Sequence, residues 1–178
     1  MKFTRAQNAW FEALESDRFP QTHLHLATRA NPEAPVAYDA LGLFLTQVLG
    51  LTPQRWDDGE DGQFAVFRGP ASGGNESIDQ LPPGAAERLG LFSPEGHFAD
   101  GKPVPMALIT GDPKNRLQAT SLRLANDLGA TFKEIARLCR EHPKLVFQGF
   151  EDKPPAEARA AALPGQDQPA PPRRPDRP

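Results

Sequence analysis

The stretch LANDLGATFKEIARLC, residues 124–139, predicts how the last part of the domain folds. Gly129 is expected to end one helix, because glycine adopts the left-handed backbone conformation that closes helices at no steric cost. Thr131 and Glu134 then form a capping box, in which each side chain accepts a backbone N–H of the first turn. Apolar residues follow at helical spacing: Phe132, Ile135, Ala136, Leu138 and Cys139. We therefore expect two helices within residues 117–142, the first over residues 117–128, that meet at a tight corner.

A second strong helical pattern covers residues 36–49, in the first half of the chain. Its apolar residues repeat every three or four positions, as one face of a helix requires: Ala37, Leu41, Phe44 and Val48. Further apolar residues widen this face, and Gly50 provides a left-handed stop. We expect this helix to be the most buried one, with the residue 117–142 pair packed against it.

Two shorter patterns precede the central helix. Thr4 and Gln7 form a capping box that starts an N-terminal helix, and Pro20 stops any continuation. Residues 22–28 alternate with a period of two, which predicts a short strand with its leucines on one face.

The middle of the chain is polar and rich in glycine and proline. Residues 63–68 are a strand candidate, and residues 57–62 and 71–77 are expected to form loops or turns. Residues 82–90 predict a short helix that begins with proline and ends at glycine. Asp100-Gly101 favours a hairpin turn between residues 98–99 and 102–104.

Together these patterns predict an α+β fold, a mostly helical single domain over residues 1–150 with one or two small β-hairpins. Residues 151–178 contain eight prolines and one leucine. Such a segment cannot bury enough apolar surface to offset its ordering entropy, so we expect a disordered, proline-rich C-terminal tail.

Composition excludes several classes of protein. The net charge of -3 gives the whole chain no attraction for nucleic acid or an anionic membrane, although residues 110–150 are locally basic. Cys139 is the only cysteine, which excludes an internal disulfide and a cysteine-based metal site. The first residues lack the apolar core of a signal peptide, and the apolar stretch at 41–51 is too short to span a bilayer. We expect a cytoplasmic protein with no membrane contact.

Two segments resemble a family of small uncharacterised proteins common in bacteriophages and mobile elements. The first is Tyr38-Asp39-Ala40-Leu41-Gly42-Leu43, where the family has an aromatic residue followed by Cys-Cys-Leu-Gly-Val-Leu. The second is residues 126–136, which match Asn-Asp-x-Gly-x-Ser/Thr-Phe-x-Glu-Ile-Ala. The resemblance spans most of residues 8–147 and implies no activity. Asp39 and Ala40 replace the cysteine pair, so chemistry that needs paired thiols is absent here.

Asn126 and Asp127 are the first candidate site. Asp127 falls in the last turn of a helix, where the helix dipole disfavours an anion by roughly 0.3–1 kcal/mol. One interpretation is structural: the carboxylate reaches across the turn to free amides at residues 130–132. The other is functional: both side chains project into a site that binds a partner or a small ligand. The structural interpretation is favoured, and the functional one stays open.

The same helix pair fits a helix-turn-helix template. In that case Thr131, Lys133, Arg137 and Arg140 face DNA, helped by the locally basic charge. Glu134 would then lie among the base-reading positions, where an anion is unfavourable. A plain helical corner is therefore favoured over DNA binding.

Other chemical motifs do not form a recognisable set. His23 and His25 lack a third ligand at a fixed spacing, and the acidic residues 57–61 lack the glutamate that ends a calcium loop. Cys139 lies on the inward side of its helix, which favours an inert core thiol over a nucleophile. The sequence predicts no catalytic residues, no metal and no cofactor.

The leading hypothesis is a non-enzymatic protein of the phage or mobile-element type that binds a protein partner. The first alternative is a helix-turn-helix-like DNA-binding regulator that uses residues 117–142. The second is small-ligand binding or hydrolysis near Asn126 and Asp127.

Overall fold

The structure is a computed structural model that describes residues 2–68, 76–82 and 84–150. These residues form an α+β fold with two small antiparallel sheets. Helices account for 38% of them and strands for 20%, so helix predominates but strand is a larger share than expected. Residues 151–178, where the disordered tail was predicted, lie outside the described residues.

The helices are distributed along the whole described chain. They are α1 (Arg5–Glu15), α2 (Ala40–Leu43), α3 (Ala85–Leu89), α4 (Met106–Thr110), α5 (Leu122–Asp127), α6 (Phe132–Glu141) and α7 (Pro143–Val146). Helix α2 continues directly into a π-helical segment, Phe44–Val48, and a 3₁₀ turn covers Ala99–Gly101.

The strands form two separate sheets. They are β1 (Ala27–Arg29), β2 (Ala37–Tyr38), β3 (Arg55–Gly59), β4 (Gly62–Arg68), β5 (Glu76–Ser77), β6 (Val104–Pro105) and β7 (Gln118–Ala119). The larger sheet has the order β2-β1-β4-β3, and β5 pairs with the far end of β4. Strands β6 and β7 pair with each other.

The core is centred on α2, all of whose residues are buried. Trp10 of α1 is fully buried, and its indole Nε1 donates a 2.7 Å hydrogen bond to Ala40 O. Phe11, Phe44 and Phe147 pack around this tryptophan at centroid distances of 5.8–6.5 Å. Helix α6 packs between α1 and α4, so the predicted central helix and the predicted helix pair share one core.

The two predicted capping boxes are confirmed. Thr4 accepts from the Gln7 amide at the start of α1, and Thr131 accepts from the Glu134 amide at the start of α6. The inward residues of α6 are buried as expected: Phe132, Ile135, Ala136, Leu138 and Cys139. Gly129 has a φ of +93° and closes the corner after α5.

The helix predicted over residues 36–49 starts later than expected. Ala37 and Tyr38 are extended and pair with β1, and Asp39 caps the helix through its side chain. The apolar repeat did not reveal this start, because residues of a buried strand and a buried helix are equally apolar. Gly50 has the expected left-handed conformation, with a φ of +66°.

The strand predicted over residues 22–28 is wrong for most of its length. Only Ala27 and Thr28 belong to β1, and the preceding residues are irregular. The expected common leucine face is also wrong, because Leu24 is 61% exposed whereas Leu26 is fully buried.

Four further local predictions need correction. Residues 57–59 lie in β3 rather than in a loop, and the turn of the β3–β4 hairpin is limited to Glu60 and Asp61. No hairpin forms at Asp100-Gly101, because β6 pairs with β7 instead. Of the helix predicted over residues 117–128, only α5 is helical. Of the loop predicted over residues 71–77, Glu76 and Ser77 form β5 instead, and residues 71–75 lie outside the described residues.

Candidate functional site

The candidate site is built around residues 21–26, which we call the turn segment. The amide of His25 donates a 2.8 Å hydrogen bond to the carbonyl oxygen of His23, and Leu24 between them has a φ of +67°. These features define a γ-turn with a left-handed central residue, which is a rare and strained conformation. The Leu24 side chain is 61% exposed, so hydrogen bonds to the backbone, not packing of the leucine, hold the turn.

Asn126, at the end of α5, binds the turn segment through both polar atoms of its side chain and through its backbone oxygen. Its Nδ2 donates to Thr22 O at 2.8 Å, and its Oδ1 accepts from Gln21 Nε2 at 2.8 Å. The backbone oxygen of Asn126 accepts from His23 Nδ1 at 2.8 Å, which fixes the proton on that ring nitrogen. Gln21 also donates to Ala130 O at 2.7 Å, so it ties the segment to both sides of the corner. Asn126 is fully buried and has no surface left for a ligand.

Asp127 and Arg123 hold the γ-turn itself. Asp127 Oδ1 accepts a 2.7 Å hydrogen bond from the Leu24 amide, and Arg123 lies 3.5 Å from the Leu24 carbonyl oxygen. Arg123 also forms ion pairs with Asp79 at 3.1 Å and with Asp127 at 3.8 Å. The prediction that Asp127 reaches across to the amides of residues 130–132 is wrong. The amide of Ala130 bonds to Ala125 O instead.

The turn segment is bound on its other side by the residues that precede and begin α2. Tyr38 accepts from the Thr22 amide at 2.7 Å, and the Asp39 amide donates to Leu26 O at 3.1 Å. Gly42 lies against the same carbonyl group, where a Cβ atom would come within 1.7 Å of Leu26 O. Close approach of the two backbones therefore requires glycine at this position.

Residues 38–43 and 126–136, the two segments singled out in the sequence, both contact the turn segment. Tyr38 and Asp39 bond to its backbone, and so do Asn126 and Asp127. These contacts explain the glycine at position 42, which lets the backbones approach, and the polar side chains at 126 and 127, which bond to the turn segment.

Asp39 is a buried titratable group beside this arrangement. Its carboxylate accepts from the Gly42 amide and caps α2. Burial is the main cause that raises the pKa of Asp39 to about 7, and the nearby Asp127 carboxylate raises it further, whereas Arg123 lowers it.

A pocket of about 550 Å³ lies beside the γ-turn. The turn segment and the β3–β4 hairpin line it: Thr22, His23, Leu24, His25, Thr28, Gly59, Glu60, Asp61, Gly62, Gln63 and Phe64. The His25 ring stacks on Phe64 with centroids 5.0 Å apart, and its Nδ1 is buried without a hydrogen-bond partner among the described residues.

Each predicted DNA-contacting residue has a partner within the protein. Thr131 belongs to the capping box, Lys133 pairs with Asp17 at 2.5 Å, and Arg137 donates to Ile109 O at 2.7 Å.

Arg140 is held by two such contacts. It pairs with Glu15 at 2.9 Å, and its guanidinium lies 4.6 Å from the centroid of the Phe11 ring. A DNA-binding face on α6 would have to give up these contacts.

The remaining chemical candidates give no reactive centre. Over residues 2–68, 76–82 and 84–150, no group of three or more His, Cys, Asp or Glu side chains is arranged to hold a metal ion. Cys139 is fully buried, and burial raises the pKa of its thiol far above the usual range. Such a thiol is a poor nucleophile. No helix in the described part of the chain is long and apolar enough to cross a membrane.

Sequence reasoning found Asn126 and Asp127 but missed the residues on which they act. The strained turn at Leu24 has no local sequence signal, since the hydrophobic pattern does not depend on the φ angle of a leucine. The contact of Arg123 with the Leu24 carbonyl oxygen has none either, because the two residues are far apart in the sequence.

Comparisons with models of known families, with curated proteins and with solved structures found no match.

Proposed function

We propose that this protein acts by binding another protein through the surface around Leu24. The supporting observation is that Leu24 keeps a strained conformation while its side chain is 61% exposed. Strained residues persist only where the surrounding structure fixes them, and they cluster at binding and catalytic sites. A backbone that hydrogen bonds already hold in place loses little conformational entropy on binding, which favours affinity.

Asn126 and Asp127 have a positioning role in this proposal. Asn126 is buried and bonds to Thr22 and Gln21, so it fixes the base of the turn segment. Asp127 fixes the Leu24 amide. The partner contacts Leu24, and the two residues of α5 keep it in place.

The proposal describes a non-enzymatic protein of the phage or mobile-element type that works in the cytoplasm. Its support is the resemblance of the segments at residues 38–43 and 126–136, together with a single, buried cysteine.

Site-specific photo-crosslinking in cells tests this function. A photoreactive phenylalanine analogue at position 24 should give a crosslinked partner, whereas the same analogue at Leu108 should not. Leu108 is a matched control because it is also an exposed leucine, at 42%. The same crosslink from both positions, or none from position 24, would contradict the proposal.

Small-ligand binding is a second candidate, favoured by the pocket that His23 and His25 line. A ligand at a hundred times its dissociation constant adds about 2.7 kcal/mol of stability, so thermal-shift screening with nucleotides and divalent metals can detect it. A shift that disappears in Phe64→Ala, which removes the ring stacked on His25, would support this candidate.

A further inference from the structure

A second surface, separate from the Leu24 site, is an open groove of about 550 Å³ between α1 and the π-helical segment. Three elements line it: Arg5, Ala6 and Ala9 of α1, Gln47, Val48 and Leu49 at the end of the π-helical segment, and Arg88 of α3. It shares no residue with the surface around Leu24 or with its pocket. The floor is apolar and half-exposed, because Ala6, Val48 and Leu49 pack on the core yet remain partly accessible.

The backbone that forms one wall of this groove is unusual. The Leu49 amide donates to Phe44 O, five residues back, at 3.1 Å. π-Helical turns make up well under about 1% of residues in proteins and occur frequently at functional sites. The π-helical turn therefore makes this groove a candidate binding site.

The two arginines of the groove are exposed cations. Within the described residues neither Arg5 nor Arg88 forms an ion pair with a carboxylate. Arg5 is also the first residue of α1, where the helix dipole disfavours a cation by roughly 0.3–1 kcal/mol. The first turn of α1 has no acidic residue to compensate. An anion bound beside Arg5 would offset this unfavourable position.

We propose that this groove binds an acidic amphipathic helix of a partner protein. The apolar face of that helix packs on Ala6, Ala9 and Val48, and its carboxylates pair with Arg5 and Arg88. The small side chains of Ala6 and Ala9 let a second helix backbone approach α1 closely. An open groove suits a helix, because small ligands need sites that enclose most of their surface.

Selection from a display library of random peptides of roughly 16 residues, about 24 Å long when helical, tests the proposal on the full chain. The selected peptides should combine Asp and Glu with apolar residues at helical spacing. By fluorescence anisotropy, Arg5→Glu should weaken their binding at least about tenfold, since the change replaces an attraction for the peptide carboxylates by a repulsion. Ala9→Trp, which fills the groove, should abolish binding.

The control is Arg116→Glu, an exposed arginine without an ion pair in the described part of the chain, and it should leave affinity unchanged. Arg5→Glu removes a cation from the positive end of α1, so thermal unfolding should show a fold at least as stable as the wild type.

Several outcomes would overturn the proposal: no selected peptide, selected peptides that are basic, or binding that survives Ala9→Trp. Binding of a fatty acid such as laurate without peptide binding would also overturn it. So would a concentration-dependent dimer of the full chain, seen by light scattering, that Ala9→Trp abolishes. None of these results affects crosslinking at Leu24, so the two proposals fail independently.

Discussion

The amide of Leu24 donates a 2.7 Å hydrogen bond to the Asp127 carboxylate, across 103 residues of sequence. This bond joins the centre of a strained γ-turn to the last turn of α5. An anion in the last turn of a helix is unfavourable, but here it is paired with a backbone amide and with Arg123. The same hydrogen bond therefore offsets two unfavourable features, the anion in the last turn of α5 and the strained backbone of Leu24.

Asn126→Ala should destabilise the protein by about 2–4 kcal/mol. The change removes the donor to the Thr22 carbonyl oxygen and one of the two acceptors of Gln21 Nε2, which keeps its bond to Ala130 O. A buried polar group left unpaired costs about 1–3 kcal/mol, and the lost packing of a fully buried side chain adds to this. Urea denaturation followed by circular dichroism measures the difference. Asn8→Ala is the matched control, because Asn8 is exposed and makes one long hydrogen bond, of 3.4 Å. Equal unfolding free energies for the two variants would contradict this prediction.

Elements whose signals lie within a few residues were predictable from the sequence. The capping boxes of α1 and α6 each involve residues three apart, and the inward face of α6 follows from periodicity alone. Gly129 also gave a local signal for the corner.

Elements defined by distant partners were not predictable. Ala37 and Tyr38 are extended because β1 pairs with them, and their apolar character fits either a strand or a helix. The turn segment alternates in polarity like a strand, yet Asn126 and Asp127 hold it in an irregular path from about 100 residues away. The candidate site was therefore predictable only at its α5 end.

Leu24→Asn should leave stability unchanged or raise it by up to about 1 kcal/mol. Asparagine tolerates the left-handed conformation that costs leucine roughly 1–2 kcal/mol, and the exposed leucine loses little packing. Leu26→Ala is the contrast, because Leu26 is fully buried and its truncation should cost about 2–5 kcal/mol. Thermal unfolding distinguishes the two. A loss of more than about 1 kcal/mol in Leu24→Asn would show that the leucine packs in the folded protein.

Gly42→Ala should destabilise the protein by about 3 kcal/mol, although alanine is the better helix former by about 1 kcal/mol. The added methyl group would lie 1.7 Å from Leu26 O, which is backbone and cannot move aside cheaply. Gly50→Ala is the control, since Gly50 is left-handed but has open space for a Cβ atom. It should lose only the roughly 1 kcal/mol of backbone strain. Similar losses in both variants, by urea denaturation, would argue against the close contact.

The stability contributed by Asp39 should fall as pH rises from about 4 to about 7. Burial raises the pKa of Asp39 to about 7 in the folded state. The folded protein therefore holds a proton that the unfolded chain has released across this range, and it loses that advantage as pH passes the folded value. Each pKa unit corresponds to about 1.4 kcal/mol, so a shift of about three units changes the free energy of unfolding by roughly 4 kcal/mol.

Asp39→Asn isolates this effect, because asparagine caps helices as well as aspartate does and does not titrate. Unfolding free energies of both proteins should be measured at several pH values between about 4 and 8. The wild type should lose stability relative to the variant as pH rises. Parallel pH profiles would show that Asp39 has an ordinary pKa in the folded protein.

Duplex DNA should not bind, even at low salt where electrostatic attraction is strongest. The basic residues of α6 are already engaged, since Lys133 pairs with Asp17 and Arg140 with Glu15, and the net charge of -3 opposes approach to phosphates. A gel shift with a duplex of about 30 base pairs at roughly 20 mM salt should show no retardation. A salt-sensitive shift that Lys133→Glu with Arg137→Glu abolishes would instead establish the helix-turn-helix alternative. This pair spares Arg140, whose guanidinium packs on Phe11. Thermal unfolding of the double variant is the folding control, because Arg137→Glu removes the hydrogen bond to Ile109 O.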